Sequence, residues 1–194
     1  MTLTPSPSEL KRHWGIDPAV TFLNHGSFGA CPTEVLREQS ELRARLEREP
    51  LLFLFRELEQ RLDAVREVLA RFVACDADDL AFTTNATTAV NAVLRWLELS
   101  PGDELLTTDH AYNACRNAME PVAQRAGARV VVARVPFPLR SADEAVEPVL
   151  AALTERTRFV LLDHVTSPTG LVLPVERMVS ALQRHGAFVM VDGA

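Results

Sequence analysis

The stretch that decides the fold is Leu80-Ala81-Phe82-Thr83-Thr84-Asn85-Ala86-Thr87-Thr88-Ala89-Val90-Asn91. Its first half is short, apolar and rich in β-formers, and predicts a buried strand over Leu80–Thr83. Its second half sets Ala89, Val90, Val93, Leu94 and Leu97 at helical spacing, so a helix opens near Ala86. Between the two lies a hydroxyl-rich turn of Thr83, Thr84, Asn85, Thr87 and Thr88. Free backbone N–H groups, the positive end of the helix dipole and several hydroxyls together make a seat for a phosphate. A plainer account uses the same residues, with Asn85 or Thr87 doing no more than capping the helix. The rest of the chain decides between them.

Downstream, the pattern is a steady alternation. Strands are predicted at Glu104–Thr107, Arg129–Ala133, Arg158–Asp163 and Ala187–Asp192, and helices near Ala86–Leu99, Ala111–Ala126, Asp143–Leu153 and Pro174–His185. Ser141 and Glu144 form a capping-box pattern for the third of these helices, and Gly102, Gly127 and Gly186 fall where helix ends and turns need them. Strands alternating with helices predict an α/β fold: a mostly parallel sheet with helices on both faces. Ligands on such sheets bind beyond the carboxyl ends of the strands.

Upstream, residues 1–19 read as an amino-terminal arm broken by Pro5, Pro7 and Pro18, with a turn of helix starting at Ser8-Glu9-Leu10. Val20–Leu23 is a short strand candidate, followed by the loop Asn24-His25-Gly26-Ser27-Phe28-Gly29. A helix is expected over Thr33–Glu49, N-capped by Thr33 and ending at Pro50. A second helix is expected over about Phe55–Val73, with an apolar stripe of Leu58, Leu62, Val65, Leu69 and Phe72.

Bulk properties remove several classes of function. A net charge of −6 with no basic run argues against nucleic acid, and the short, interrupted apolar runs give no membrane span. Met1–Pro7 has no signal-peptide pattern, and Cys31, Cys75 and Cys115 are odd in number with no C-x-x-C pair. A reduced cytoplasmic setting is expected, with all three read as buried or inert thiols. Lys11 is the one lysine in the chain.

The predicted strand ends carry the chemistry: Thr83–Thr88, then Thr107–Tyr112, then Asp163–Gly170, then Asp192-Gly193-Ala194. Only Arg129–Ala133 lacks such a cluster. No G-x-G-x-x-G, Walker loop or G-x-S-x-G elbow is present. His110, Asp163, His164 and Asp192 lack the spacing of helical zinc sites, so no metal is expected. The set suits a phosphorylated aromatic ring better. Asn85–Thr88 takes the phosphate, His110 or Tyr112 covers a ring face, and Asp192 pairs with a ring nitrogen. Small Ala194 leaves room on the other face, while Thr166, Ser167 or Thr169 reaches a phenolic oxygen. Those requirements describe pyridoxal phosphate (PLP).

In Leu23–Pro32, Thr84–Asn91, Thr108–Tyr112, Asp163–Gly170 and Val191–Ala194, the chain resembles the amino-terminal part of class V aminotransferase-type proteins. These are PLP-dependent proteins of fold type I, and the similarity is strongest to their isopenicillin N epimerase-like branch. The resemblance spans residues 20–194. It implies part of the cofactor-binding large domain of an aspartate aminotransferase-like fold, with the later strands and the small carboxyl-terminal domain absent.

The resemblance implies that Ala86 and Thr87, with Thr88 as a further candidate, hold the phosphate. It implies that His110 stacks on the ring, with Tyr112 as second choice. Asp192 would pair with the ring nitrogen, Ser167 or Thr166 would lie near the phenolic oxygen, and Asn24 and His25 would line the substrate entrance. The family's Schiff-base lysine has no counterpart here, because Lys11 matches no family position. The expected activity, on an amino acid or amino-acid-derived substrate, therefore belongs to the complete protein, expected to be a homodimer. A cysteine desulfurase or C–S lyase is an alternative outcome of the same machinery. A non-catalytic remnant acting as a binding module is an alternative of another class.

Overall fold

The computed structural model describes residues 8–194; Pro5 and Pro7 of the predicted arm lie outside the described residues. The described residues fall into two compact units, divided between Ala81 and Phe82.

The first unit is helical. A 3-10 turn over Glu9–His13, capped by Ser8, carries Lys11 on an exposed surface. Trp14 Nε1 donates to Ala30 O at 2.9 Å, and one turn of helix, α1 (His25–Phe28), occupies the Asn24–Gly29 loop. Val20–Leu23 is not a strand: among the described residues no partner strand lies beside it in this unit, and Phe22 packs edge-on against His25 instead. α2 (Thr33–Arg48) forms as expected, but Thr33 is not its cap. Pro32 occupies that position, and the Thr33 hydroxyl donates to His13 O at 3.2 Å, tying the helix start to the preceding 3-10 turn.

Pro50 then opens a new helix, where its missing N–H is no loss. The chain runs from α3 (Pro50–Leu52) through a π turn at Phe53–Glu57 into α4 (Leu58–Val73). The apolar stripe of α4 is largely uncovered, with Leu62, Val65, Leu69 and Phe72 all exposed.

The second unit is a four-stranded parallel sheet in the order β2-β1-β3-β4, where β1 is Glu104–Thr108, β2 Arg129–Ala133, β3 Thr157–Asp163 and β4 Phe188–Asp192. Leu80–Thr83 is not a strand of it. That segment lies outside the sheet, with Phe82 exposed, because an apolar run forms a strand only beside a neighbour with free backbone groups. The helices are α5 (Ala86–Trp96), α6 (Asn113–Ala126), α7 (Asp143–Ala151) and α8 (Val175–Arg184). Gly127 ends α6 at φ +68°, a conformation disfavoured for side chains bearing a Cβ, which here would also press on Pro101 at 3.3 Å.

Strand alternation divides the core. Leu105, Phe159 and Leu161 meet Val90 and Leu94 of α5 and Cys115, Met119 and Ala123 of α6 on one face. Leu106, Val160 and Leu162 meet Ala145, Val146 and Val149 of α7 and Met178 and Leu182 of α8 on the other. Both faces of β3 are buried, which its continuous apolar run predicts. Each large side chain fully buried here contributes about 1.5–3 kcal/mol. Since β1 leads to β2 on one side and β3 leads to β4 on the other, the strand order reverses between β1 and β3. The switch point lies there, and a ligand crevice is expected at its carboxyl end.

The amino end of the sheet serves stability. Glu104 is fully buried and accepts from Arg129 Nε at 3.1 Å and from Thr154 Oγ1 at 2.6 Å, with Arg156 NH2 at 3.5 Å. Burial pushes its carboxyl up, but the hydrogen bonds and the two guanidinium charges outweigh this and hold it below the usual range. Among the described residues no helix is long and apolar enough to cross a membrane.

Candidate functional site

Helix α5 begins as the sequence predicts. Asn85 is the cap: its backbone is extended, and its side chain accepts from Thr88 N at 2.8 Å. The Thr84 hydroxyl donates to Thr88 Oγ1 at 3.3 Å, so Thr88 is committed to the turn through both its amide and its hydroxyl. The amides of Ala86 and Thr87 belong to the first turn, where a helix offers no internal acceptor. Both residues are part-exposed. Capping and anion seating are therefore compatible in one motif: Asn85 takes the amide of Thr88 and leaves those of Ala86 and Thr87 without an acceptor inside the helix.

At the carboxyl end of β4, Asp192 is buried and doubly bound. Its Oδ1 accepts from Ala194 N at 3.1 Å, and its Oδ2 accepts from the Cys115 thiol at 3.3 Å. Burial pushes that thiol up, the Asp192 carboxylate pushes it further, and the Thr87 side chain acts in the opposite direction, leaving it at about 12. Cys115 is thus a neutral, buried thiol lying between the start of α5 and the end of β4. Of the thiols expected to be buried or inert, Cys31 and Cys75 are exposed.

Asp163 ends β3 directly opposite Asp192 in register. Its Oδ2 accepts from Tyr112 N at 2.6 Å, while Oδ1 is buried with no hydrogen-bond partner. Burial raises this carboxyl, the Tyr112 amide lowers it and the nearby Asp192 charge raises it again, to about 6.

His110, just beyond β1, is buried and held at both ring nitrogens. Nε2 lies 2.8 Å from Val135 O and Nδ1 lies 2.8 Å from Thr169 Oγ1. A carbonyl can only accept, so Nε2 carries a proton, and in the neutral ring the Thr169 hydroxyl donates to Nδ1. Thr169 is in turn 2.9 Å from Thr166 Oγ1, which accepts from Leu171 N at 2.8 Å. Asp109 accepts from Val135 N at 2.9 Å, so the segment after β2, which bears no polar cluster in the sequence, supplies backbone groups to this end.

The sequence-predicted residues of the second unit therefore gather at one end of the sheet. Thr166 is buried with its hydroxyl spent on its own loop, whereas Ser167 is exposed; Tyr112 is also exposed and contributes its backbone. Asn24 and His25 belong to the first unit, where both are exposed. A cavity in that unit is lined by apolar residues such as Leu42 and Phe53 and by charged ones, among which Glu57 pairs with Arg45 at 2.6 Å and with Arg61 at 3.2 Å.

The arrangement was compared with known proteins. The family profile Aminotransferase class-V matches residues 34–194. The chain belongs to the class V aminotransferase family. It is 42% identical over 182 residues to an isopenicillin N epimerase of Amycolatopsis lactamdurans, covering 92% of this chain and 46% of that protein. It is 33% identical over 202 residues to a probable chloroplastic L-cysteine desulfhydrase of Arabidopsis thaliana, covering 96% and 42%. Among solved structures, a variant of the cystine C–S lyase C-DES, with glycine covalently linked to its PLP cofactor, superposes with a TM-score of 0.86 at 28% identity. That match covers 98% of this chain and 50% of the C-DES chain. The chain spans about half the length of the curated relatives it matches.

Three features of this end of the sheet bear on a phosphorylated pyridine. An exposed helix start with two amides lacking an acceptor inside the helix suits a phosphate. A buried carboxylate held from both sides, with lone pairs remaining, suits a protonated ring nitrogen. An orphaned buried oxygen such as Asp163 Oδ1 costs about 1–3 kcal/mol, the kind of cost a bound polar group relieves. The residues present fit.

Proposed function

We propose that the full-length protein is a PLP-dependent enzyme acting on an amino acid or amino-acid-derived substrate, and that residues 20–194 form part of its cofactor-binding large domain. The observation that carries this reading is the bridge at Cys115. Its thiol donates to Asp192 at the end of β4, and its side chain packs with Val90 and Leu94 of α5, the helix that opens at the phosphate seat.

In this reading Ala86 and Thr87 bind the phosphate through their amides and the Thr87 hydroxyl, with Thr88 bracing the turn. Asp192 holds the proton at the ring nitrogen. His110, fixed by Val135 and Thr169, covers one ring face, and its rigid mounting excludes water from that side. Ser167 reaches the phenolic oxygen, and Ala194 leaves the opposite face open. Bound there, PLP supplies an electron sink that takes up the charge released when a bond to the substrate α-carbon breaks. The lysine that moves the α-proton is not among these residues, so turnover is a property of the full-length homodimer.

Similarity to the epimerase favours exchange or inversion at the α-carbon, and similarity to the desulfhydrase and C-DES favours C–S cleavage as the second reading. The full-length protein, incubated with amino acids in deuterated buffer, should exchange the α-hydrogen. Sulfide released from cysteine or cystine would select the C–S lyase outcome. A protein that takes up no PLP and exchanges no α-hydrogen would be a non-catalytic module, and the proposal would fall.

A further inference from the structure

We propose that Cys115 is a positioning residue: its thiol proton fixes the orientation of the Asp192 carboxylate at the end of β4. This rests on the PLP reading for its consequence, but the hydrogen bond itself stands without it.

The geometry is specific. Cys115 is fully buried on the first turns of α6, on the face packed against α5 and β3. Its sulfur lies 3.3 Å from Asp192 Oδ2, within reach of an S–H···O bond. Asp192 Oδ1 is already turned toward Ala194 N, so the carboxylate is held from two directions, once by backbone and once by thiol. No nucleophilic role suits this sulfur. A thiol beside a carboxylate and away from cations stays protonated, which makes it a poor nucleophile and a dependable donor. A serine would donate more strongly but is smaller. An alanine would remove the donor and leave Oδ2 freer to rotate.

The bond has a signature that needs no cofactor. Hydrogen bonding lowers the S–H stretching frequency, which lies in an infrared window clear of other protein bands. With every other cysteine replaced by serine, the full-length apoprotein should show one S–H band, displaced to low frequency, and Asp192→Asn should move it back. In the holoprotein, Cys115→Ala should weaken PLP binding about fivefold, the scale of one modest hydrogen bond to a charged group. Cys115→Ser should recover most of that loss, which a purely packing role would not.

A band unmoved by Asp192→Asn, or equal losses in Cys115→Ala and Cys115→Ser, would overturn the proposal. If no variant and not even the parent binds PLP, the cofactor reading fails, while the infrared band still decides whether Cys115 holds Asp192.

Discussion

Asp163 and Asp192 face each other in register at the ends of adjacent parallel strands, yet their carboxylates are satisfied unequally. Asp192 has a donor on each oxygen; Asp163 has one amide and one buried, orphaned oxygen. Burial with one unpartnered oxygen makes Asp163 a poor carrier of charge.

The first prediction follows from that burial. Asp163 is raised from 3.8 to about 6 in the folded protein. The folded state therefore binds its proton more tightly than the unfolded chain does. The stability linked to this proton is fully present below pH 3.8 and is lost as pH rises through about 6. At neutral pH the deficit is on the order of 2–3 kcal/mol. Asp163→Asn keeps an acceptor for Tyr112 N and removes the charge, so it should stabilise the full-length apoprotein at pH 7 and flatten its stability between pH 4 and 6. Denaturant titrations across that range would show it, and a variant less stable than the parent at pH 7 would contradict it.

The second prediction concerns Glu104. Its lowered carboxyl contributes stability above the unfolded value of 4.5 that is lost as pH falls through the depressed folded value. Its arginine partners are more than half exposed, so solvent screens them and the short bond to Thr154 carries much of the effect. Glu104→Ala should cost about 1–3 kcal/mol in thermal or chemical unfolding, with the PLP absorbance of the holoprotein unchanged, because Glu104 lies at the opposite end of the sheet. Loss of PLP binding without loss of stability would contradict this separation.

The third prediction concerns the mounting of His110. Thr169→Val removes the donor to Nδ1 while keeping the shape, and should cost about 1 kcal/mol. In the parent, nitrogen NMR should show the tautomer protonated at Nε2 with Nδ1 hydrogen-bonded. Thr169→Val should move the Nδ1 resonance and Thr169→Ser should restore it. An Nδ1 resonance indifferent to Thr169 would mean that the histidine is held by other means.

Much of this architecture is legible in the sequence. The four strands were predictable to within one residue at each end, because β3 is a continuous apolar run and each helix between strands opens with a polar turn or closes on a residue such as Gly127. The Val20–Leu23 and Leu80–Thr83 predictions failed for one physical reason. A short apolar extended run looks the same whether or not a partner strand exists, and pairing is a property of the neighbour.

At the site, the polar strand ends were visible but their wiring was not. The contacts of Cys115 with Asp192, Thr169 with His110 and Tyr112 with Asp163 each span more than fifty residues, and no local spacing encodes them. Val135 is less legible still, since it acts through a carbonyl that every residue possesses.

The fourth prediction separates the two ends of the cofactor site. Asp192→Asn preserves shape but removes the charge that holds the ring nitrogen protonated. A charge-assisted hydrogen bond contributes about 1.5–3 kcal/mol, and its effect is greater where electrons accumulate in the transition state. With each ~1.4 kcal/mol counting tenfold, kcat of the full-length enzyme should fall by about two orders of magnitude. PLP affinity should fall less, because the amides of Ala86 and Thr87 are untouched. Thr87→Val should show the opposite balance: it removes a hydroxyl at the phosphate seat and leaves Asp192 in place, so PLP Kd should rise first and kcat at saturating PLP should change little. Measuring kcat and PLP Kd for both variants checks the assignment. A kcat for Asp192→Asn within a few-fold of the parent would remove Asp192 from the ring nitrogen, since no other buried carboxylate at this end of the sheet, Asp163 included, is held by donors on both oxygens.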